Sequence, residues 1–236
     1  MTCSRSTIRH VRHLGLVVAL TATPSVLVPQ ANVALLFTGE FLGQHAWPAS
    51  GETWFALYST PAGYRLATTT IRVESVPNAC AGTATKVSVD GPLQPFFLLR
   101  GLQNLRAGPI DTAFAGRTFL YPGQSFSARL GEAGKWYYFR ALGTAGTHGL
   151  GETLITNYRL ELRDSGRMGA PSQIIARLDR LALDSPPQLR WSGDLDQDGR
   201  LDVLLQLPGA YVLLVSSRAT PPDLVAQAAT FPIVIC

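Results

Sequence analysis

The sequence predicts an all-β fold: a single sandwich- or barrel-like domain of mostly antiparallel strands. Short apolar and β-branched runs recur along the 236-residue chain, and 22 Gly and 16 Pro punctuate them. Such runs, bounded by turn residues at regular spacing, read as strands of a sandwich or barrel. Hydrophobic residues make up 46% of the chain and charged residues only 15%, a balance that builds a core and excludes intrinsic disorder.

The elements follow in order. Residues 1–31 read as a secretory signal peptide, with Arg5, Arg9 and Arg12 ahead of the apolar stretch Leu14 to Leu20 and a small-residue exit near Ala22 and Ala31. Residues 32–236 then form one β domain, with no stretch long and apolar enough to span a membrane as a helix. Thr53 to Tyr58 is a strand ending at Pro61-Ala62-Gly63, and Thr68 to Val73 is rich in β-branched residues. Thr85 to Val89 alternates and stops at Asp90-Gly91-Pro92, while Pro95 to Leu99 is a short continuous apolar run. Gly101 to Arg117 has no clear period and reads as a long loop or short helix, with a seam between two layers near it. Lys135 to Phe139 and the alternating Thr153 to Leu162 are strands. Gln173 to Asp184 fits either one helical face or a strand, and its neighbours favour the strand. Leu201 to Leu207 and Tyr211 to Val215 flank Pro208-Gly209 as a hairpin.

Charge excludes a nucleic-acid partner at the level of counting. The chain has 20 Lys+Arg against 16 Asp+Glu, but the first 31 residues hold three arginines and no acid, which leaves 17 against 16. Of three cysteines, Cys3 leaves with the leader. Cys80 and Cys236 remain as an even pair, which in an oxidising compartment is expected to form a disulfide. Export makes the expected location extracytoplasmic.

One segment carries chemistry. Asp194, Asp196, Asp198 and Asp202 fall within nine residues, at relative positions 1, 3, 5 and 9, with Gly199 at position 6. Alternate residues of such a loop converge, and glycine supplies the positive φ of the sharp turn. The expected ligands are the carboxylates of Asp194, Asp196 and Asp198, the backbone carbonyl of Arg200, and Asp202 directly or through water. Hard oxygen donors in this number select Ca2+. Position 12, where an EF-hand places its bidentate Glu, is Leu205 in an apolar strand, so the loop at 194–202 lies between strands. The competing reading is an Asp-Gly turn with solvated aspartates.

The D-x-D-x-D-G-x-x-D string resembles the calcium loop of FG-GAP repeats, which join strands of a β-propeller blade. Propellers carry several copies and this chain carries one, so the likeness covers the loop and not the fold. From Leu189-Arg190-Trp191-Ser192-Gly193-Asp194 to Leu205, then Val215 to Ala219 and the terminal Cys236, the chain resembles a family of uncharacterised bacterial exported proteins. These carry a single W-x-G-D-L-D-x-D-G-x-L-D segment near a Cys-terminated C-terminus. The resemblance implies export and an ion site; it implies no reaction.

No catalytic set accompanies the loop: Gly123-Gln124-Ser125-Phe126-Ser127 breaks the G-x-S-x-G elbow, and HExxH is absent. His148, with Glu152 four residues on, and His45 read as surface residues. Trp136, Tyr137, Tyr138 and Phe139 put rings on both faces of one strand, either as core and cross-strand packing or as a flat platform for a polysaccharide or envelope partner. The expectation is an exported calcium-binding β domain without catalysis. A calcium-dependent extracytoplasmic hydrolase using His148, Glu152 and a loop aspartate is the alternative.

Overall fold

The architecture follows from where each strand's apolar side chains point. In the computed structural model, residues 32–43, 47–79, 81–131, 134–148, 152–165 and 171–234 are described, without the side chains of His148 and Glu152. They belong to one compact unit, Ala31–Cys236. The expected signal peptide (1–31), His45 and the cysteines Cys3, Cys80 and Cys236 lie outside the described residues, and so does the expected disulfide.

Among the described residues, sixteen strands make three sheets. The first contains β1 (Ala34–Leu36), β2 (Gly39–Phe41), β3 (Thr53–Thr60), β4 (Gly63–Asn78), β5 (Gly82–Val89), β6 (Pro95–Arg100) and β7 (Gly108–Ile110). Its order is β1-β6-β3-β4-β5-β2, with β7 also on β4. The long strand β4 pairs with β3 through Thr70 and with β5 from Ile71 onward. Only Phe37 and Thr38 join β1 to β2, the two ends of that path, so the sheet curls until its edges approach.

The second sheet orders β8 (Thr112–Phe119), β13 (Gln188–Gly193), β14 (Asp202–Leu207), β15 (Ala210–Val215) and β16 (Ala226–Pro232) as β16-β15-β14-β13-β8. The third orders β9 (Ser125–Leu130), β10 (Lys135–His148), β11 (Glu152–Asp164) and β12 (Ser172–Ala182) as β12-β11-β10-β9. All of the ladders are antiparallel.

The second sheet is central, because its strands feed both cores. Side chains alternate across a strand, so neighbours point to opposite faces. In β14, Leu204 joins the core shared with the curled sheet, while Val203 and Leu205 join the core shared with β9–β12. In β15, Leu213 and Val215 take the first side and Val212 and Leu214 the second. Burial on both faces explains the continuous apolar run Val203-Leu204-Leu205. The hairpin at Pro208-Gly209 is as expected, with Leu207 opposite Ala210 and Gly209 at φ 80°.

One sequence expectation changes, and the strand favoured for Gln173 to Asp184 is found. Gly101 to Arg117 is not a long loop or helix: it contains β7 and most of β8, and the two layers expected on either side of it are three. A three-residue strand is too short to show a period, and β8 is mostly half-buried, which blurs its alternation. The helical alternative for Gln173 to Asp184 gives way to β12. Ala176 sits opposite Leu160 and Ile174 opposite Glu161, so Ile175 is the extra residue of a bulge. That extra residue places Ile174 and Ile175 side by side and creates the helix-like spacing. Among the described residues the helical content is one 3-10 turn, Ser216–Arg218, and no helix is long and apolar enough to cross a membrane.

Candidate metal centre

The aspartate loop joins β13 to β14 at the end of the central sheet. A bulge in β13 prepares it: Leu189 faces Leu205 and Trp191 faces Leu204, leaving Arg190 as the inserted residue. Leu189 therefore packs in the β9–β12 core, while Trp191, two residues on, packs in the curled-sheet core at 5.8 Å from the Phe97 ring. Without the bulge both would share a face. Gly193 follows under a steric requirement, since a Cβ there would collide with the Trp191 indole and the Asp111 carbonyl. The Asp194 N–H donates to that same carbonyl at 2.9 Å, fixing the loop entrance against the start of β8.

The loop straddles the two cores. Leu195 is buried in the first and Leu201 in the second. Between these anchors the backbone turns on the carboxylates. Asp194 accepts from the N–H groups of Asp198 (2.9 Å) and Gly199 (2.8 Å), and Gly199 takes the φ of 76° that the turn requires. Asp202, fully buried at the start of β14, accepts from Leu195 N–H at 2.9 Å and from Ser216 N–H at 2.8 Å.

One carboxylate oxygen from each of Asp194, Asp196 and Asp202 lies within 4.8 Å of the others, and all three residues are buried. Burial is the main cause that raises the pKa of each above the ordinary carboxylate value, most of all for Asp202; neighbouring carboxylates add to it, and accepted hydrogen bonds oppose it. Two full charges 4.8 Å apart repel by roughly 3 kcal/mol at an effective dielectric of about 20, so the cluster is unfavourable until something neutralises it. Asp196 makes the demand specific. Its Oδ2 accepts from the Ser217 hydroxyl, but Oδ1 is buried with no hydrogen-bond partner, in a residue only 6% exposed. Buried oxygens are almost always satisfied. The three carboxylates can hold a metal ion.

Of the five expected ligands, the structure thus brings Asp194, Asp196 and Asp202 together. Asp198 is exposed and turned to the rim, where it accepts from Arg200 N–H at 2.8 Å and from the Ser216 hydroxyl at 3.0 Å. Arg200 is anchored by its guanidinium, which donates to the Leu224 carbonyl at 3.2 Å. Sequence reasoning missed Ser216 and Ser217. The Ser216 hydroxyl lies 3.0 Å from Asp202 as well, so it bridges two aspartates of the loop. Register arithmetic could have found it. A two-residue turn at 208–209 sets Val203 against Leu214, so β15 must end beside Asp202 and leave the Ser-Ser pair at the loop.

Beside the loop is a pocket of about 300 Å³ lined by Lys135, Tyr137, Asp164, Arg200 and residues 221–224. Lys135 is held by Asp164 at 2.9 Å. Burial alone would lower its pKa, but its bonds to Asp164 and Tyr137 outweigh this and raise it, which keeps the ammonium charged. Burial also raises the Tyr137 pKa, so neither group is a base at neutral pH. His148 and Glu152 face each other in register where β10 meets β11. No protein-family profile, curated protein or solved structure matches the chain.

Proposed function

We propose that the chain is an exported calcium-binding β module whose loop at 194–202 is a structural Ca2+ site. The observation that carries this is the buried cluster of Asp194, Asp196 and Asp202, with one carboxylate oxygen from each within 4.8 Å of the others, together with an Asp196 Oδ1 that is buried without a hydrogen-bond partner. Three carboxylates offer hard oxygens and net negative charge, and under this reading Asp198, the Arg200 carbonyl and water would complete the oxygen shell. Such a set suits the larger, more flexible coordination of Ca2+ over the strict octahedron of Mg2+. The role is structural because the loop is pinned in both cores, so an ion there fixes the junction of three sheets. Affinity in the ~10⁻⁴–10⁻³ M range of extracellular modules suffices outside the cytoplasm, and the basic-then-apolar pattern of residues 1–31 supports that location.

The test is calorimetric titration of EDTA-stripped protein. One Ca2+ per chain is expected, with Mg2+ binding at least tenfold more weakly and Asp196→Asn abolishing the heat. Titration that fails in metal-free protein, or a stoichiometry unaffected by Asp196→Asn, would overturn the assignment.

A further inference from the structure

The outer face of the third sheet is patterned too regularly to be inert. Along β10, Tyr137, Phe139 and Ala141 enter the core, while Trp136, Tyr138 and Arg140 point outward. Trp136 and Tyr138 are 43% and 44% exposed, among the large hydrophobic side chains most open to solvent. They stand two residues apart on one strand, so their side chains leave the same face about 7 Å apart.

The neighbours in register are cationic. Arg129 of β9 lies opposite Trp136, with its guanidinium 6.0 Å from the ring centre. Arg163 of β11 lies opposite Tyr138, and Arg159 pairs across to Arg177 of β12. All four arginines and Arg140 are exposed. Among the described residues, Arg140, Arg159, Arg163 and Arg177 make no ion pair. Among the described residues, Glu161, opposite Arg140, is the carboxylate in register with this grid, and Asp179 lies beyond Arg177. Counting charges along the chain hides this, because bases and acids outside residues 1–31 nearly balance; the fold places five arginines, Arg129, Arg140, Arg159, Arg163 and Arg177, in one sheet.

We infer that this face binds an acidic polysaccharide, a chain of carboxylated sugars lying across the strands. Aromatic ring faces are electron-rich and meet the slightly positive C–H faces of pyranose rings. Guanidinium forks match carboxylates with two parallel hydrogen bonds, and unlike ammonium groups they are weakly hydrated. The surface is an exposed sheet face, so it suits an extended polymer and not a small molecule that needs enclosure. Single-stranded nucleic acid would also meet arginines and rings. The choice of sugar rests on the export reading, under which the partner is an extracytoplasmic polymer.

Affinity electrophoresis and calorimetry of the purified protein, with Ca2+ and with EDTA, test this with polygalacturonate, neutral dextran and oligo-dT as probes. Polygalacturonate is expected to bind and dextran not to. Trp136→Ala with Tyr138→Ala should weaken polygalacturonate binding at least tenfold with an unchanged melting temperature, and Arg140→Gln with Arg163→Gln should do the same. Absence of polygalacturonate binding, or binding that survives both double variants, would overturn the proposal. Tighter binding of oligo-dT than of polygalacturonate would overturn it too, and would also count against export. None of these results bears on the Ca2+ titration, which reads a different sheet end.

Discussion

Replacing Asp196 by Asn separates the two roles of its charge. Without metal, Asp196 adds to a cluster whose carboxylate oxygens lie within 4.8 Å of one another, where two full charges repel by roughly 3 kcal/mol or more at an effective dielectric of about 20, and its Oδ1 has no partner. The neutral amide removes that repulsion while keeping an oxygen for the Ser217 hydroxyl. In EDTA the variant should therefore melt at or above the wild-type temperature. Calcium reverses the order. With Kd near 10⁻⁴ M, about 10 mM Ca2+ stabilises the native state by about 2.7 kcal/mol. At about 2–4 °C per kcal/mol for a domain of this size, the wild-type Tm rises by roughly 5–10 °C. The variant should gain almost nothing. The assay is differential scanning calorimetry of protein shown metal-free by elemental analysis, in EDTA and then in calcium. Equal calcium shifts in wild type and variant would refute the reasoning, as would a variant several degrees less stable in EDTA.

Further outcomes follow from the same geometry. Asp202→Asn should destabilise even in EDTA, by about 1–3 kcal/mol, because its two oxygens accept from the Leu195 and Ser216 N–H groups and an amide NH2 would face a donor; chemical denaturation measures it. Ser216→Ala should lower calcium affinity by about 10- to 100-fold in titration, since the hydroxyl bridges Asp198 and Asp202. The pH dependence has opposite signs with and without metal. The folded-state pKa values of Asp194, Asp196 and Asp202 are raised, so their contribution to apo stability is full below the unfolded value near 3.9 and is lost as pH rises through the folded values. In EDTA, lowering the pH through the folded values toward the unfolded one should raise the stability contributed by this cluster, seen as a Tm rise that Asp196→Asn reduces; in calcium the same change should lower Tm by releasing the ion. Export-purified protein should show no free thiol at Cys80 or Cys236 by mass spectrometry under non-reducing conditions. Its reduction should cost up to about 5 kcal/mol, the upper figure for closing so long a loop.

How far the sequence can be read depends on what each residue type reveals by itself. Pro208-Gly209 declares its hairpin, and four aspartates spaced two or four apart around Gly199 declare a turn that gathers carboxylates. The chain between Gly101 and Arg117 declares nothing, because β7 is three residues long and β8 is half-buried. Bulges mislead most. Ile175 makes a strand look helical, and Arg190 sends Leu189 and Trp191 to opposite faces although their spacing says one. The site was legible in its aspartates, whereas Ser216 and Ser217, in the 3-10 turn after β15, could be placed only by carrying the hairpin register from Pro208-Gly209 back to Asp202. Tyr137 and Phe139 as core, with Trp136 and Tyr138 outside, could be narrowed to two alternatives but not chosen, since alternation fixes parity and not direction.

The central position of β14 constrains how this protein can vary. In an ordinary sandwich, a strand crowded by a larger core side chain relieves the strain by moving its backbone toward solvent. Here Leu204 presses on one core and Val203 and Leu205 on the other, so any shift that accommodates a larger residue on one side closes space on the opposite side. Enlarging and shrinking substitutions in β14 should therefore be tolerated only as matched pairs across its backbone. The outer strands β9–β12, with one face in water, are free to drift, which leaves their exposed surface available for recognition while the middle of the molecule stays the same.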